Sequence, residues 1–418
     1  MPTEPANRDW AVRLARVESR NVTDVRHAPP FWTEARGPRV RDVAGNVYLD
    51  FTGAFGVALA GHRHPLVEAR LRSQARRLLH GMGDIHPPAV KVEFLEALAA
   101  ILPWPESRII PGLSGSDVVE AALKTAQLAT GRPGIVAFEG SYHGLTLGAL
   151  ATTHRDHFRK PFYERLADQV RFVPFLASPS RAAEVLGTVT RLLDGASPVP
   201  AGAVIVEPIQ GRAGVRIPPP GFLAELAAIV TERGALLIAD EIFTGMGRTG
   251  TNFACDQEGV TPDLVCLGKA LGGGMPLSAC CGPVEVMNAW PSSTGEAIHT
   301  STFLGNPMSC AAGLGFLEAL AGDDLAGRAR RLGAEALSFL SDALDGCDRV
   351  AEVRGRGLML GVEMRDASGP DVTRGALERG LIVLPAGERG EVVELTPPAI
   401  LTRDELRAGL EILVAAIR

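Results

Sequence analysis

Lysine is almost missing from this chain of 418 residues: Lys91, Lys124, Lys160 and Lys269 are the only four, and arginine supplies nearly all the other positive charge. Each surviving flexible amine is therefore worth questioning. A basic excess is absent as well: the net charge of −6 argues against nucleic acid or an anionic membrane as the main partner. No apolar run approaches the roughly 20 residues of a membrane-spanning helix. The start, Met1-Pro2-Thr3-Glu4-Pro5-Ala6-Asn7-Arg8, lacks the apolar stretch of an export signal, so the expected location is cytoplasmic. Cys255, Cys266, Cys280, Cys281, Cys310 and Cys347 have no zinc-ligand spacing, and the adjacent Cys280 and Cys281 suit a structural disulfide poorly. Buried free thiols in a reducing compartment are expected instead. Internal repeats and low-complexity segments are missing too.

What is present is the balance of a globular protein, 46% hydrophobic and 22% charged, with length for two or three domains. Near the N-terminus a helix is expected around Trp10 to Glu18. Arg39 to Asp42 and Val47 to Phe51 then flank Ala44-Gly45-Asn46, a hairpin signal. Short apolar strands follow at Ile135–Phe138, Val170–Phe175, Ala203–Val206, Leu236–Ala239 and Leu264–Leu267. They alternate with helices at Lys91–Ile101, Asp117–Thr130, Ser180–Leu193 and Phe222–Arg233. This alternation predicts an α/β fold with a mostly parallel sheet covered by helices. An α+β tail follows, with a strand at Leu358–Met364 and a last helix from Asp404.

In open α/β sheets ligands bind beyond the carboxyl ends of the strands, and chemistry gathers there. Ile135–Phe138 runs into Glu139-Gly140-Ser141-Tyr142-His143-Gly144, and Ala203–Val206 into Glu207-Pro208-Ile209-Gln210-Gly211. Leu236–Ala239 runs into Asp240-Glu241, and Leu264–Leu267 into Gly268-Lys269. An amine at the end of an apolar strand loses hydration, which lowers its pKa and frees its lone pair for an aldehyde. Lys269 therefore reads as a Schiff-base lysine, although alone it could pass for a loop lysine. Ser114-Gly115-Ser116 ahead of a helix reads as a phosphate site or an ordinary helix cap. Phosphate cradle, lysine, buried carboxylate and aromatic face together are what pyridoxal 5'-phosphate requires. Asp240 would keep the ring nitrogen protonated, with Tyr142 on one ring face and Ile242 on the other.

The run from Leu236 through Asp240-Glu241-Ile242-Phe243 to Gly247-Arg248-Thr249-Gly250, with Lys269 beyond it, resembles the signature of class III aminotransferases. These fold-type-I enzymes include ornithine, acetylornithine and 4-aminobutyrate aminotransferases. The resemblance extends over Ser114-Gly115-Ser116-Asp117, Tyr142-His143-Gly144, Glu207-Pro208-Ile209-Gln210-Gly211, Ser301-Thr302-Phe303-Leu304-Gly305-Asn306-Pro307 and Val353-Arg354-Gly355-Arg356-Gly357. The alternation marks out a large domain at residues 61–310, for which the resemblance implies a seven-stranded, mostly parallel sheet. A smaller α+β domain would come from residues 1–60 and 311–418 of the two ends. The resemblance further implies a homodimer with shared active sites. Gly115 and Ser116 would bind the cofactor phosphate, and Thr302 would complete that site from the neighbouring subunit. His143, Glu207, Asp240, Tyr142 and Ile242 would surround the cofactor, and Lys269 would hold it and move the substrate proton.

Departures from the family speak to the substrate. Leu145 stands where members often carry a carboxylate-binding arginine after His-Gly. Glu394 stands where a second such arginine precedes the Pro-Pro pair, and Arg212 where its glutamate partner is common. An inverted Arg212–Glu394 ion pair is the expectation, lone surface charges the alternative. A pocket with Leu145 and Glu394 suits an amine, amino alcohol or amino sugar, while Arg212 could grip an amino-acid or keto-acid carboxylate. Phe243 replaces a glutamine that commonly bonds the cofactor's ring oxygen. Trp32 and Phe55 fall in regions that line the substrate entrance of relatives, or else pack in the core. The expected reaction is transamination of small amine and carbonyl substrates. Racemases, epimerases and aminomutases share the scaffold and form the alternative. A non-enzymatic regulator is disfavoured because Lys269 and Asp240 are both present and no DNA-binding segment is attached.

Overall fold

The structure, a computed structural model, describes residues 5–175 and 179–418. The first helix, Pro5–Ala15, begins earlier than the expected Trp10 start, since proline is tolerated in a first helical turn. Strands β1 (Trp32–Arg36), β2 (Arg39–Asp42) and β3 (Val47–Asp50) form an antiparallel meander. The expected hairpin turn is closed by Asp42, whose Oδ1 accepts the Ala44 and Asn46 amides at 3.0 and 2.9 Å.

The central sheet contains β4 (Ser107–Gly112), β5 (Gly134–Phe138), β6 (Val170–Val173), β7 (Ala201–Val206), β8 (Leu236–Asp240), β9 (Leu264–Leu267) and β10 (Ser278–Pro283). Its order is β4-β10-β9-β8-β7-β5-β6. Only β10 runs against its neighbours β4 and β9; the remaining pairings are parallel. Every residue of β5, β7 and β9 is buried, which is why these strands read as continuous apolar runs. The sequence pattern did not announce β4 and β10. Pro111 interrupts the first and Gly282-Pro283 ends the second, and a proline is accommodated in β4 because that strand is the sheet edge.

Beyond the long helix Leu325–Leu344 lie β11 (Val350–Arg356), β12 (Met359–Met364), β13 (Leu381–Ile382), β14 (Leu384–Ala386) and β15 (Val392–Leu395). Four of them form the sheet β11-β12-β15-β14, while β13 pairs in parallel with β3. The two ends of the chain thus share a sheet. The last helix, Arg403–Ile417, is started by a reciprocal cap between Thr402 and Glu405. The cysteines are all free, and five of the six are buried. Among the described residues no helix is long and apolar enough to cross a membrane.

Candidate active site

Because β4, β5, β7, β8 and β9 point the same way, their carboxyl ends open onto one edge of the sheet. A cavity of about 220 Å³ lies there, lined by Ser114, Gly115, Ser116, Tyr142, His143, Gly144, Glu207, Arg212, Asp240, Ile242, Phe243 and Lys269. The loop after β4 starts the Gly115–Thr130 helix, two residues earlier than the pattern suggested. Ser114 caps it by accepting the Asp117 amide, and Asp117 reciprocates. Gly115 and Ser116 are its first residues, so their amides have no partner inside the helix. A side chain on Gly115 would come within 2.9 Å of Ile242, and one on Gly144 within 2.1 Å of Ser116 Oγ. The cradle is open because these positions carry no Cβ.

Asp240 ends β8 almost fully buried, at 4% exposure. Its Oδ1 accepts the Ile242 amide at 3.2 Å and its Oδ2 lies 2.7 Å from His143 Nδ1. A carboxylate only accepts here, so His143 donates through Nδ1, and its buried Nε2 has no protein partner. Glu207, at the end of β7, accepts the Tyr142 amide at 2.9 Å and the Gly211 amide at 3.1 Å. Burial pushes its carboxyl up to about 7; His143 opposes this and Asp240 reinforces it. Glu207 is therefore a brace that fixes the Tyr142 and Gly211 loops. The Tyr142 ring meets Phe158 edge-on with centroids 5.5 Å apart.

Lys269 follows β9 with its backbone in the left-handed region, φ 45°. Its Nζ lies 4.1 Å from the Phe243 ring centroid. Burial lowers its proton affinity below that of an ordinary lysine, and the more distant Asp240, Glu207 and Glu394 only partly restore it. Phe243 fills a slot between two glycines: a Cβ on Gly56 or on Gly211 would each come within 2.4 Å of its ring. The wall beside the amine is thus apolar, as expected from the departure at Phe243.

The expected ion pair does not form: Arg212 and Glu394 make no salt bridge, and Glu394 Oε2 is buried without a hydrogen-bond partner. Glu394 sits in β15 opposite Gly361 and is not among the residues that line the cavity. Burial pushes it up to about 7, against the pull of Arg212, Lys269 and Arg248. Arg212 accepts the Gly387 amide on its backbone carbonyl at 3.0 Å, and its side chain lines the cavity, where its charge acts on Glu394 without an ion-pair contact. Arg248, fully buried, donates to the carbonyls of Leu358, Pro397 and Gly56 and so joins three separate stretches of chain.

Besides Glu394, four expected residues do not line this cavity. Leu145 is exposed, although its amide donates to Ser116 Oγ at 3.1 Å. Trp32 and Phe55 are exposed rather than core residues, Phe55 at 65% and with φ 61°. Thr302 is also exposed on its own chain. Arg155 was not foreseen: it reaches the same neighbourhood, donating to Glu388 O at 3.3 Å and lying over the Phe158 ring at 5.5 Å. No local motif marks it.

The residues fit pyridoxal phosphate in kind: an open helix N-terminus for the phosphate, a buried carboxylate for a ring nitrogen, and a desolvated amine for the aldehyde. Comparison with known proteins agrees. The profile of the family described as aminotransferase class-III matches residues 22–417. The chain is 36% identical to the acetylornithine aminotransferase of Methanosarcina acetivorans, over 93% of this chain and 92% of that one. It is 34% identical to the alanine/serine racemase of Pyrococcus horikoshii, over 91% and 84%. The solved ornithine aminotransferase of Toxoplasma gondii, described with partial occupancy of PLP at its active site, superposes with a TM-score of 0.88 at 29% identity, covering 98% of this chain and 94% of that one. Sheet, cavity and sequence together place the chain in the class III aminotransferase family, as a pyridoxal-phosphate-dependent aminotransferase of fold type I.

Proposed function

We propose that this aminotransferase moves an amino group between an amino-acid and keto-acid pair, held through its carboxylate by Arg212, and a second substrate bearing a primary amine without a second carboxylate. An amine, amino alcohol or amino sugar answers that description. The observation that carries the reading is that Arg212 alone among the three substrate-side positions lines the cavity as a cation. Leu145 is uncharged and exposed, and Glu394 is an acid. Acetylornithine, for which one relative is named, is an amino-acid derivative, which supports an amino-acid partner for Arg212.

When bound, pyridoxal phosphate supplies an aldehyde that takes up the amine and a ring that absorbs an electron pair from the neighbouring carbon. Gly115 and Ser116 would hold its phosphate at the helix N-terminus. Asp240, fixed by His143, would keep a proton on the ring nitrogen, while Tyr142 and Ile242 would bracket the ring. Lys269 Nζ, with its weakened hold on a proton, would take the proton from the substrate carbon and return it elsewhere. Thr302, exposed on its own chain, would reach a phosphate only in a second copy, so a homodimer with shared sites belongs to this reading.

The test is a half-reaction screen of the cofactor-loaded enzyme against amino acids, diamines, amino alcohols and amino sugars, followed by absorbance and carbonyl release. Turnover with carboxylate-free amines and a monocarboxylic amino acid is expected; reaction with dicarboxylic amino acids alone would refute it. The racemase relative favours a second reading, amino-acid racemisation. In that case an amino acid would lose optical activity without releasing a carbonyl compound.

A further inference from the structure

Two arginines near the substrate side, Arg212 and Arg155, are both fastened to one turn. Arg212 accepts the Gly387 amide on its backbone carbonyl at 3.0 Å. Arg155 donates through Nη2 to the carbonyl of the next residue, Glu388, at 3.3 Å. Between them stands Tyr142, which lines the cavity with Arg212 and packs on Phe158, the ring beneath the Arg155 guanidinium. Neither guanidinium has an ion-pair partner among the described residues, and Arg155 Nε is buried with no hydrogen-bond partner at all. The nearby acid Glu391 turns its Oε2 to the Arg389 amide at 2.7 Å. Two partly buried like charges fastened to adjacent residues of one turn repel each other until an anion joins them. The same repulsion, added to burial, lowers Arg155 below the usual guanidinium range, with Glu388 and Glu391 opposing.

We infer that Arg155 and Arg212 together form one carboxylate site beside Tyr142, in which the carboxylate of the amino-acid or keto-acid substrate bridges the two guanidiniums. This rests on the reading that Arg212 grips that carboxylate, and it adds Arg155 as a specificity-determining residue. It also places the cation that is missing at Leu145 on the other side of the pocket, leaving the amine substrate a neutral or acidic wall.

The experiment uses the cofactor-loaded enzyme and propionate as an unreactive probe, with Kd measured by calorimetry at low salt. Arg155→Gln and Arg212→Gln should each weaken propionate about tenfold or more, as expected for loss of a charged hydrogen bond. Arg155→Lys should recover part of that loss. The amino-acid KM should rise in step, and by a larger factor than the KM of a carboxylate-free amine in its half-reaction. As a check independent of folding, propionate should protect both Arg155 and Arg212 of the unaltered enzyme from phenylglyoxal, read by peptide mapping. Loss of affinity in Arg212→Gln but not Arg155→Gln, or protection of Arg212 alone, overturns this inference and leaves the Arg212 reading standing. Unchanged affinity in Arg212→Gln overturns that reading itself.

Discussion

At the scale of single residues, the site is governed by what burial does to charge. Lys269 is held as a weak base, and its left-handed backbone costs on the order of 1–3 kcal/mol that the surrounding strands must offset. Lys269→Ala should abolish the absorbance band of the lysine–cofactor linkage and slow transamination by roughly 10²–10⁴-fold or more, measured with a matched amino donor. Glu394 makes a different prediction. Its folded carboxyl is raised from 4.5 to about 7, so the stability it contributes is complete below the lower value and is lost as pH rises through the upper one. Glu394→Gln should therefore match the unsubstituted protein near pH 4 and exceed it at pH 8 by on the order of 2–3 kcal/mol, read by denaturant titration. An equal difference at both pH values would show that Glu394 is not the titrating group.

At the scale of elements, parallel strands deliver the chemistry and glycines make room for it. Gly144 has φ +129° and would place a Cβ 2.1 Å from Ser116 Oγ, so Gly144→Ala should weaken cofactor binding roughly tenfold or more, measured by fluorescence titration of the apoprotein. The strand-end residues Asp240 and Lys269 were legible from sequence because each directly follows an apolar run, and burial of those runs is a local pattern. The helix after Ser114 was legible from its cap for the same reason. The Arg212–Glu394 pairing was inferred from matching positions, yet an ion pair depends on where two side chains end in three dimensions, which no local pattern carries. Arg155 lies 57 residues from Arg212 in sequence, and only the turn at Gly387 and Glu388 brings the two into register. Strand β4 was hidden by its proline, since edge position is a property of the whole sheet.

At the scale of the whole molecule, both ends of the chain return to the site. β13 pairs with β3, and Arg248 joins the Gly56 turn to the Leu358 and Pro397 segments. Exposed Thr302 makes the assembly testable. Lys269→Ala and Thr302→Val chains, each impaired alone, should recover activity when co-assembled, because one mixed site would combine an intact Lys269 with an intact Thr302. No recovery in a verified mixed dimer would confine the site to one chain. The scarcity of lysine then acquires a chemical meaning. Lys91 is occupied with the Gly83 carbonyl at 2.6 Å and Lys124 rests against His299 at 3.2 Å. A free aldehyde meeting this protein finds few amines at which to go astray, so borohydride capture should mark Lys269 against an almost blank background.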